Sequence, residues 1–410
     1  MDRVFERCAG LDIGKADLKA CIRVPGPRGG RRQEVRTFAT TTDALLELRQ
    51  WLVDSGVQVV GMEATGDYWK PVYYLLEDAV ECWLLNARHM HAVPGRKSDV
   101  SDAGWIAQLV EHGLVRPSFV PPPAIRRLRD LTRYRTALLR ERTREVQRLE
   151  KVLEDAGIKL SAVASHVWSA STRAIIEALI AGERDPQVLA NLARTRMRPK
   201  IPALRRALVG RFDAHHAFLC QTMIGRIDSI DVAVGALTVQ IESQIAPFQA
   251  AVDRLDTIPG VNARLAQIII AEIGADMSRF PTAAQLASWA GMCPGNNESA
   301  GKHHSGKTRK GDPWLRGALG EAAGAAARTK GSYPAARYRR LVARRGAKRA
   351  LLAVGHGLLI AIWHMLTHAV DYTDPRVNQP VTPTNRDRQT RRLLSQLHQL
   401  GYRVRLEPAT

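Results

Sequence analysis

The sequence predicts an α/β domain at the N-terminus, then a long helical, partly coiled-coil region, then a mostly α-helical unit toward the C-terminus. Two observations carry this reading. Before residue 116 the apolar pattern switches repeatedly between period two and helical spacing, in the order β-β-β-α-β-α-β-α. Beyond the proline-rich stretch 116–123 only the helical period persists. A chain of 410 residues holds two or three domains, which sets the expected boundaries at 1–122, 123–247 and 248–372, with a loose tail over 373–410.

Each element has a local cause. Alternating apolar residues at 8–13 and 18–24 give two strands, and the Pro/Gly cluster at 25–30 turns the chain toward a third at 33–38. A Thr-rich start suited to capping opens a helix over 42–55, with Leu45, Leu48, Trp51 and Leu52 at helical spacing. Residues 57–62 are continuously apolar, as in a strand covered on both faces. A helix over 69–79, a strand at 81–85 and a helix over 98–112 complete the series. The prolines after Arg116 make a stiff linker. Over 125–156, Leu128, Leu131, Leu138, Leu149 and Val152 fall near heptad spacing among many arginines, which predicts a coiled-coil arm. Residues 157–245 are helical in pattern and uninformative in chemistry. The last compact unit opens near Phe248, with Ile268, Ile269, Ile270, Ile273, Leu286 and Trp289 as its core.

Sixty lysines and arginines face 40 acidic residues, a net charge of +20. So basic a chain calls for a polyanionic partner, nucleic acid first. The excess is uneven: −1 over 1–125, +8 over 126–250 and +13 over 251–410. Five cysteines without a C-x-x-C pair, and an opening MDRVFERCAG without an apolar run, argue against a zinc framework and against export. The longest apolar stretch, 351–366, is interrupted by Gly355, His356, Gly357 and His364, which argues against a membrane span. A soluble cytoplasmic protein is expected.

Four carboxylates stand out. Asp12 sits in the first strand of the pattern, with Gly14 beyond it; Glu63 ends the apolar fourth strand, where a carboxylate is costly unless paired or metal-bound. Asp99 and Asp102, at i and i+3, share one helix face. Taken singly, each is readable as a cap or an arginine partner. Together, on this strand order, they point to one site. Converging carboxylates raise one another's pKa, so the site calls for cations, and hard oxygen donors select Mg²⁺ or Mn²⁺. Two such ions clamp the attacking and leaving oxygens of a phosphodiester.

The C-terminal unit offers a second chemistry. The turn around Pro259 and Gly260 opens an apolar helix and resembles the helix-hairpin-helix element of DNA-binding proteins, whose helix N-terminus suits a phosphate. Residues 291–312 gather small residues, hydroxyls and cations without apolar period, which reads as a loop built for an anion. Lys302, Lys307, Arg309 and Lys310 are its phosphate candidates, with Arg316 on the helix that follows. A hydroxyl nucleophile fits there, Ser299, Ser305 and Thr308 being equal on composition alone. His303 and His304 suit a phosphate contact better than a metal.

These features in order resemble the DEDD transposases of bacterial insertion sequences, the family that also holds the Piv DNA invertase. The matching residues are Gly10-Leu-Asp12, Glu63-Ala-Thr-Gly66 with Tyr68-Trp69, Ser98-Asp99 with Asp102-Ala103, Ile258-Pro-Gly260, Ala290-Gly-Met-Cys-Pro294, Ser299 with Gly301-Lys302, and Lys310-Gly-Asp-Pro-Trp-Leu-Arg316. The family has glycine where this chain has Ala300. The resemblance implies a RuvC-like, ribonuclease H-type N-terminal domain in which Asp12, Glu63, Asp99 and Asp102 bind metal. It implies Ser299 as a nucleophile linked covalently to DNA, guidance by a noncoding bridge RNA, and a homo-oligomer, dimer or tetramer, whose active sites combine domains of different protomers. Two other readings are open on the residues alone: a metal-dependent junction-resolving endonuclease, and a non-catalytic nucleic-acid scaffold.

Overall fold

The computed structural model describes residues 3–26, 30–64, 66–86, 102–294, 297–299, 301–305, 308–374, 390–391, 394–395 and 397–404, with backbone alone at 297–299 and 303–305. The chain divides into two compact units, Met1–Val120 and Pro121–Thr410.

The first unit runs β1 (Cys8–Ile13), β2 (Asp17–Pro25), β3 (Arg31–Ala39), α1 (Thr42–Asp54), β4 (Val59–Glu63), α2 (Trp69–Leu76), β5 (Glu81–Leu85) and α3 (Asp102–Glu111). Its sheet has the order β3-β2-β1-β4-β5; β1, β2 and β3 are antiparallel neighbours, while β4 and β5 run parallel to β1. This mixed layout is compatible with a ribonuclease H-like fold. Alternation along the strands divides the core. Leu11, Ile13, Leu18, Val60 and Met62 pack with Leu45, Leu48, Leu52 and Leu76 of α1 and α2. Cys8, Val59 and Leu85 meet Ile106, Leu109 and Val110 of α3 on the opposite face. Glu111, buried at the end of α3, holds that helix to β2 and β3 through Arg23 and Arg31, at 2.6 and 2.7 Å.

The second unit opens with α4 (Pro123–Asp155), followed by α5 (Leu160–Val163), α6 (Ala170–Ile180), α7 (Pro186–Asn191), α8 (Ile201–Ala207) and α9 (Ala214–Ile245). The two long helices lie antiparallel, since Arg142 pairs with Asp231 while Asp155 meets His216. The short helices between them close a core of Leu149, Leu153, Ile175, Ile176, Leu179, Leu204 and Ile224. Next come α10 (Gln249–Asp256), α11 (Ala263–Ile273), α12 (Ala283–Trp289), a hairpin of β6 (Asn297–Ser299) and β7 (Lys302–Ser305), α13 (Pro313–Arg328), α14 (Tyr333–Arg345) and α15 (Ala347–His368). By length and composition α15 alone among the described helices could cross a membrane. Ala350, Val354, Leu358, Ile362 and Met365 of α15 are buried inside the unit.

Candidate active site

The carboxylates of the first unit owe their placement to two glycines. Gly10 of β1 and Gly61 of β4 are register partners. A Cβ on Gly10 would lie 2.3 Å from the backbone of Ala103 and Ala107, and one on Gly61 2.6 Å from Val110. The pair forms a bare bed onto which α3 descends. Side chains two residues on project to the same face, so Asp12, next to last in β1, and Glu63, last in β4, each one residue beyond the Leu11–Met62 pair, lie on neighbouring parallel strands on the face that α3 covers. Asp102, the first residue of α3, is exposed, whereas Asp12 and Glu63 are half-buried.

Electrostatics joins two of the three. Burial pushes the Asp12 carboxyl above the usual range, and the nearby Asp102 charge pushes it further; Lys19, its cross-strand partner, pulls the other way. Such repulsion between hard oxygen donors is what a divalent cation relieves, so the donor chemistry fits Mg²⁺ or Mn²⁺. Among the described residues, no three His, Cys, Asp or Glu side chains stand close enough to enclose an ion. Asp99 lies outside the described residues, as do Lys307 and Ala300.

In the second unit the stretch read as an aperiodic loop forms a short hairpin. Ser299 ends β6 and pairs with Lys302, so the turn between them holds two residues, and Gly301 there has φ +75°. Local hydroxyls and glycines hid the strand pairing, which is set by backbone register and not by hydropathy. The hairpin rises from a pinched neck: a Cβ on Gly311 would meet the Ala290 backbone at 2.3 Å. Arg316 braces its descending limb by donating to the Arg309 carbonyl and the Thr308 hydroxyl, 3.2 and 3.3 Å away. Lys302, Arg309 and Lys310 are exposed around it. Gly260 closes the turn from α10 to α11 and packs on the backbone of Ala322 and Ala326 in α13, while Asn262 caps α11 by accepting from the Leu265 N–H at 3.0 Å.

A buried ionic network anchors the hairpin's exit, and the sequence reading did not single out its centre. Glu272 of α11, fully buried, takes two hydrogen bonds of 2.8 Å from Arg133 and a contact of 3.1 Å from Arg129, both of α4. Arg133 also reaches Asp312 at 2.9 Å, and Asp312 caps α13 by accepting from the N–H groups of Trp314 and Leu315. The only hint in the sequence was a glutamate within the otherwise apolar run of α11.

Known proteins resemble both units. Residues 9–158 match the DEDD transposase family of the IS110 type, described as "Transposase", and residues 252–339 match one described as "Transposase IS116/IS110/IS902 family". A "Transposase for insertion sequence element IS1111A" of Coxiella burnetii is 24% identical over 376 residues, 88% of this chain and 90% of its own length. A "Probable family 20 transposase" of Pseudomonas aeruginosa is 24% identical over 284 residues, covering 68% and 75%.

Proposed function

The chain belongs to the IS110 family of DEDD transposases, and on that premise we propose that it cuts and rejoins DNA strands through a covalent phosphoserine intermediate on Ser299, in a homo-oligomer guided by a noncoding bridge RNA. The observation that carries this reading is the order of parts. It is supported by a matched N-terminal stretch in which the Asp102 charge acts on Asp12, and by a matched C-terminal stretch in which Ser299 ends a short hairpin strand opposite the exposed Lys302. Residues 1–122 are the RuvC-like catalytic domain in this reading, 123–247 the arm, and 248–372 the transposase domain with a helix-hairpin-helix-like turn.

Asp12, Glu63, Asp99 and Asp102 would hold the divalent ions. Bound there, Mg²⁺ or Mn²⁺ supplies positive charge against the oxygens of the phosphodiester undergoing exchange. The rest is the work of the side chains. The Ser299 oxygen attacks phosphorus as its proton passes to a carboxylate base, the Ser–O–P bond forms, the P–O bond to one strand breaks, and the leaving oxygen takes up that proton so that the strand departs as a hydroxyl. Attack by the hydroxyl of another strand reverses these steps. Phosphodiester energy is conserved in the serine ester, so no high-energy cofactor is needed. Lys302, Lys307, Arg309 and Lys310 would neutralise the DNA backbone, with Arg316 and the Gly260 turn supporting them. Ser299→Ala should abolish strand exchange while nucleic-acid binding persists, and the wild-type chain should yield a denaturant-resistant protein–DNA adduct. Normal recombination by the alanine variant would move the nucleophile elsewhere. Sequencing RNA that copurifies from the element tests the guide.

A further inference from the structure

One cavity of the second unit has no place in this chemistry. A groove of about 670 Å³ runs between α4, α11 and α13. Thr136, Arg140 and Arg144 line one wall at successive turns of α4, Arg264 lies on α11, and Trp314 and Gly317 of α13 complete it. The Arg140 guanidinium reaches over to α13, its charged carbon 5.0 Å from the Trp314 ring centre and one of its nitrogens beside Gly317.

The arginines here are of two kinds. Arg133, 5.8 Å from the same ring, is neutralised by Glu272 and Asp312, and Arg264 by Glu321. Arg140 is exposed, and no carboxylate among the described residues pairs with it; Arg144, also exposed, has only Glu141 at 4.0 Å. Stacking on indole attracts a guanidinium without neutralising its charge. A concave site with one unpaired and one loosely paired arginine, a hydroxyl and a half-buried aromatic plane combines the two parts of a single-strand platform, backbone neutralisation and base stacking. Its volume lies in the ~300–1,000 Å³ range of small-ligand sites, room for a nucleotide or two.

We propose that this groove binds a single-stranded polynucleotide segment, with phosphates on Arg140 and Arg144 and a base on the Trp314 indole that Arg140 vacates. The proposal stands apart from the strand-exchange reading, since it uses neither the carboxylates nor Ser299. Binding of labelled oligouridylate and oligodeoxythymidylate to the full chain, measured over a salt series, tests it. For each arginine lost from Arg140→Gln/Arg144→Gln, the slope of log affinity against log salt should become shallower by about 0.7. Arg339→Gln/Arg340→Gln, exposed on α14, should leave the slope unchanged. Binding should quench tryptophan emission in the wild type and less in Trp314→Phe. Loss on one probe alone identifies the strand as RNA or DNA, and loss on both shows that the phosphates suffice; either supports the groove. An unchanged slope in the groove variant, an equal change in the α14 variant, or equal quenching with Trp314→Phe would overturn it.

Discussion

At Asp12, the proposed chemistry would be opposed to stability. Its carboxyl titrates above the usual range because burial and Asp102 disfavour its charge. The folded state therefore binds the proton more tightly than the unfolded chain, and stability falls as pH rises from the ordinary aspartate range through the raised value. Asp12→Asn should remove that penalty, so its thermal midpoint at neutral pH should match or slightly exceed the wild type, while strand exchange drops about a thousandfold or more. A midpoint well below wild type would show that the carboxylate serves the fold instead. Asp12 was legible as a candidate only in company, together with Glu63, Asp99 and Asp102 on this strand order. Its environment was not, because Lys19 and Asp102 approach it only through sheet register and helix packing.

Elements explain both what the sequence disclosed and what it hid. Period-two and helical patterns identified all five strands and the helices of the first unit within a few residues, since each buries a face of its own. Contacts between elements were less legible. In α4 the expected Leu128, Leu138 and Leu149 are buried, but Thr132, Arg135 and Glu145 share the buried seam, and Leu131 and Val152 are only partly covered. Arg135 is tolerated there because Gln267 accepts from it at 2.8 Å, and Glu145 because Arg148 donates to it at 2.7 Å. Hydropathy cannot see such partners. Two predictions follow from element contacts. Gly10→Ala places a methyl within the backbone of α3, so it should destabilise the first unit by about 2 kcal/mol or more and reduce strand exchange with it; chemical denaturation measures the first effect. Glu272→Ala removes the carboxylate from the largely buried Arg129, which keeps only backbone carbonyl acceptors, and leaves Arg133 with Asp312 alone, so a loss of about 3 kcal/mol is expected. Glu272→Gln keeps part of the hydrogen bonding and should lose less. Equal stability of all three proteins would mean that the network contributes nothing to holding α4, α11 and the start of α13 together.

Across the whole molecule, charge is segregated. Residues 1–120 carry a net −1 and residues 121–410 a net +21, so the unit that holds Asp12, Glu63 and Asp102 has the lesser attraction for DNA. A polyanion approaching paired carboxylates is repelled until cations screen them, whereas arginine-rich surfaces bind it by releasing counterions. The two units should therefore engage DNA under different conditions. Hydrogen exchange of the full chain with duplex DNA, at low salt and with chelator present, should show protection confined to residues beyond 120. Adding Mg²⁺ should extend protection to the ends of β1 and β4 and to the start of α3, and Asp102→Asn should weaken that extension while leaving the protection beyond 120 intact. Protection at β1 and β4 in the chelated sample would mean that the first unit binds DNA without neutralised carboxylates, so that charge does not separate the two units in how they engage DNA.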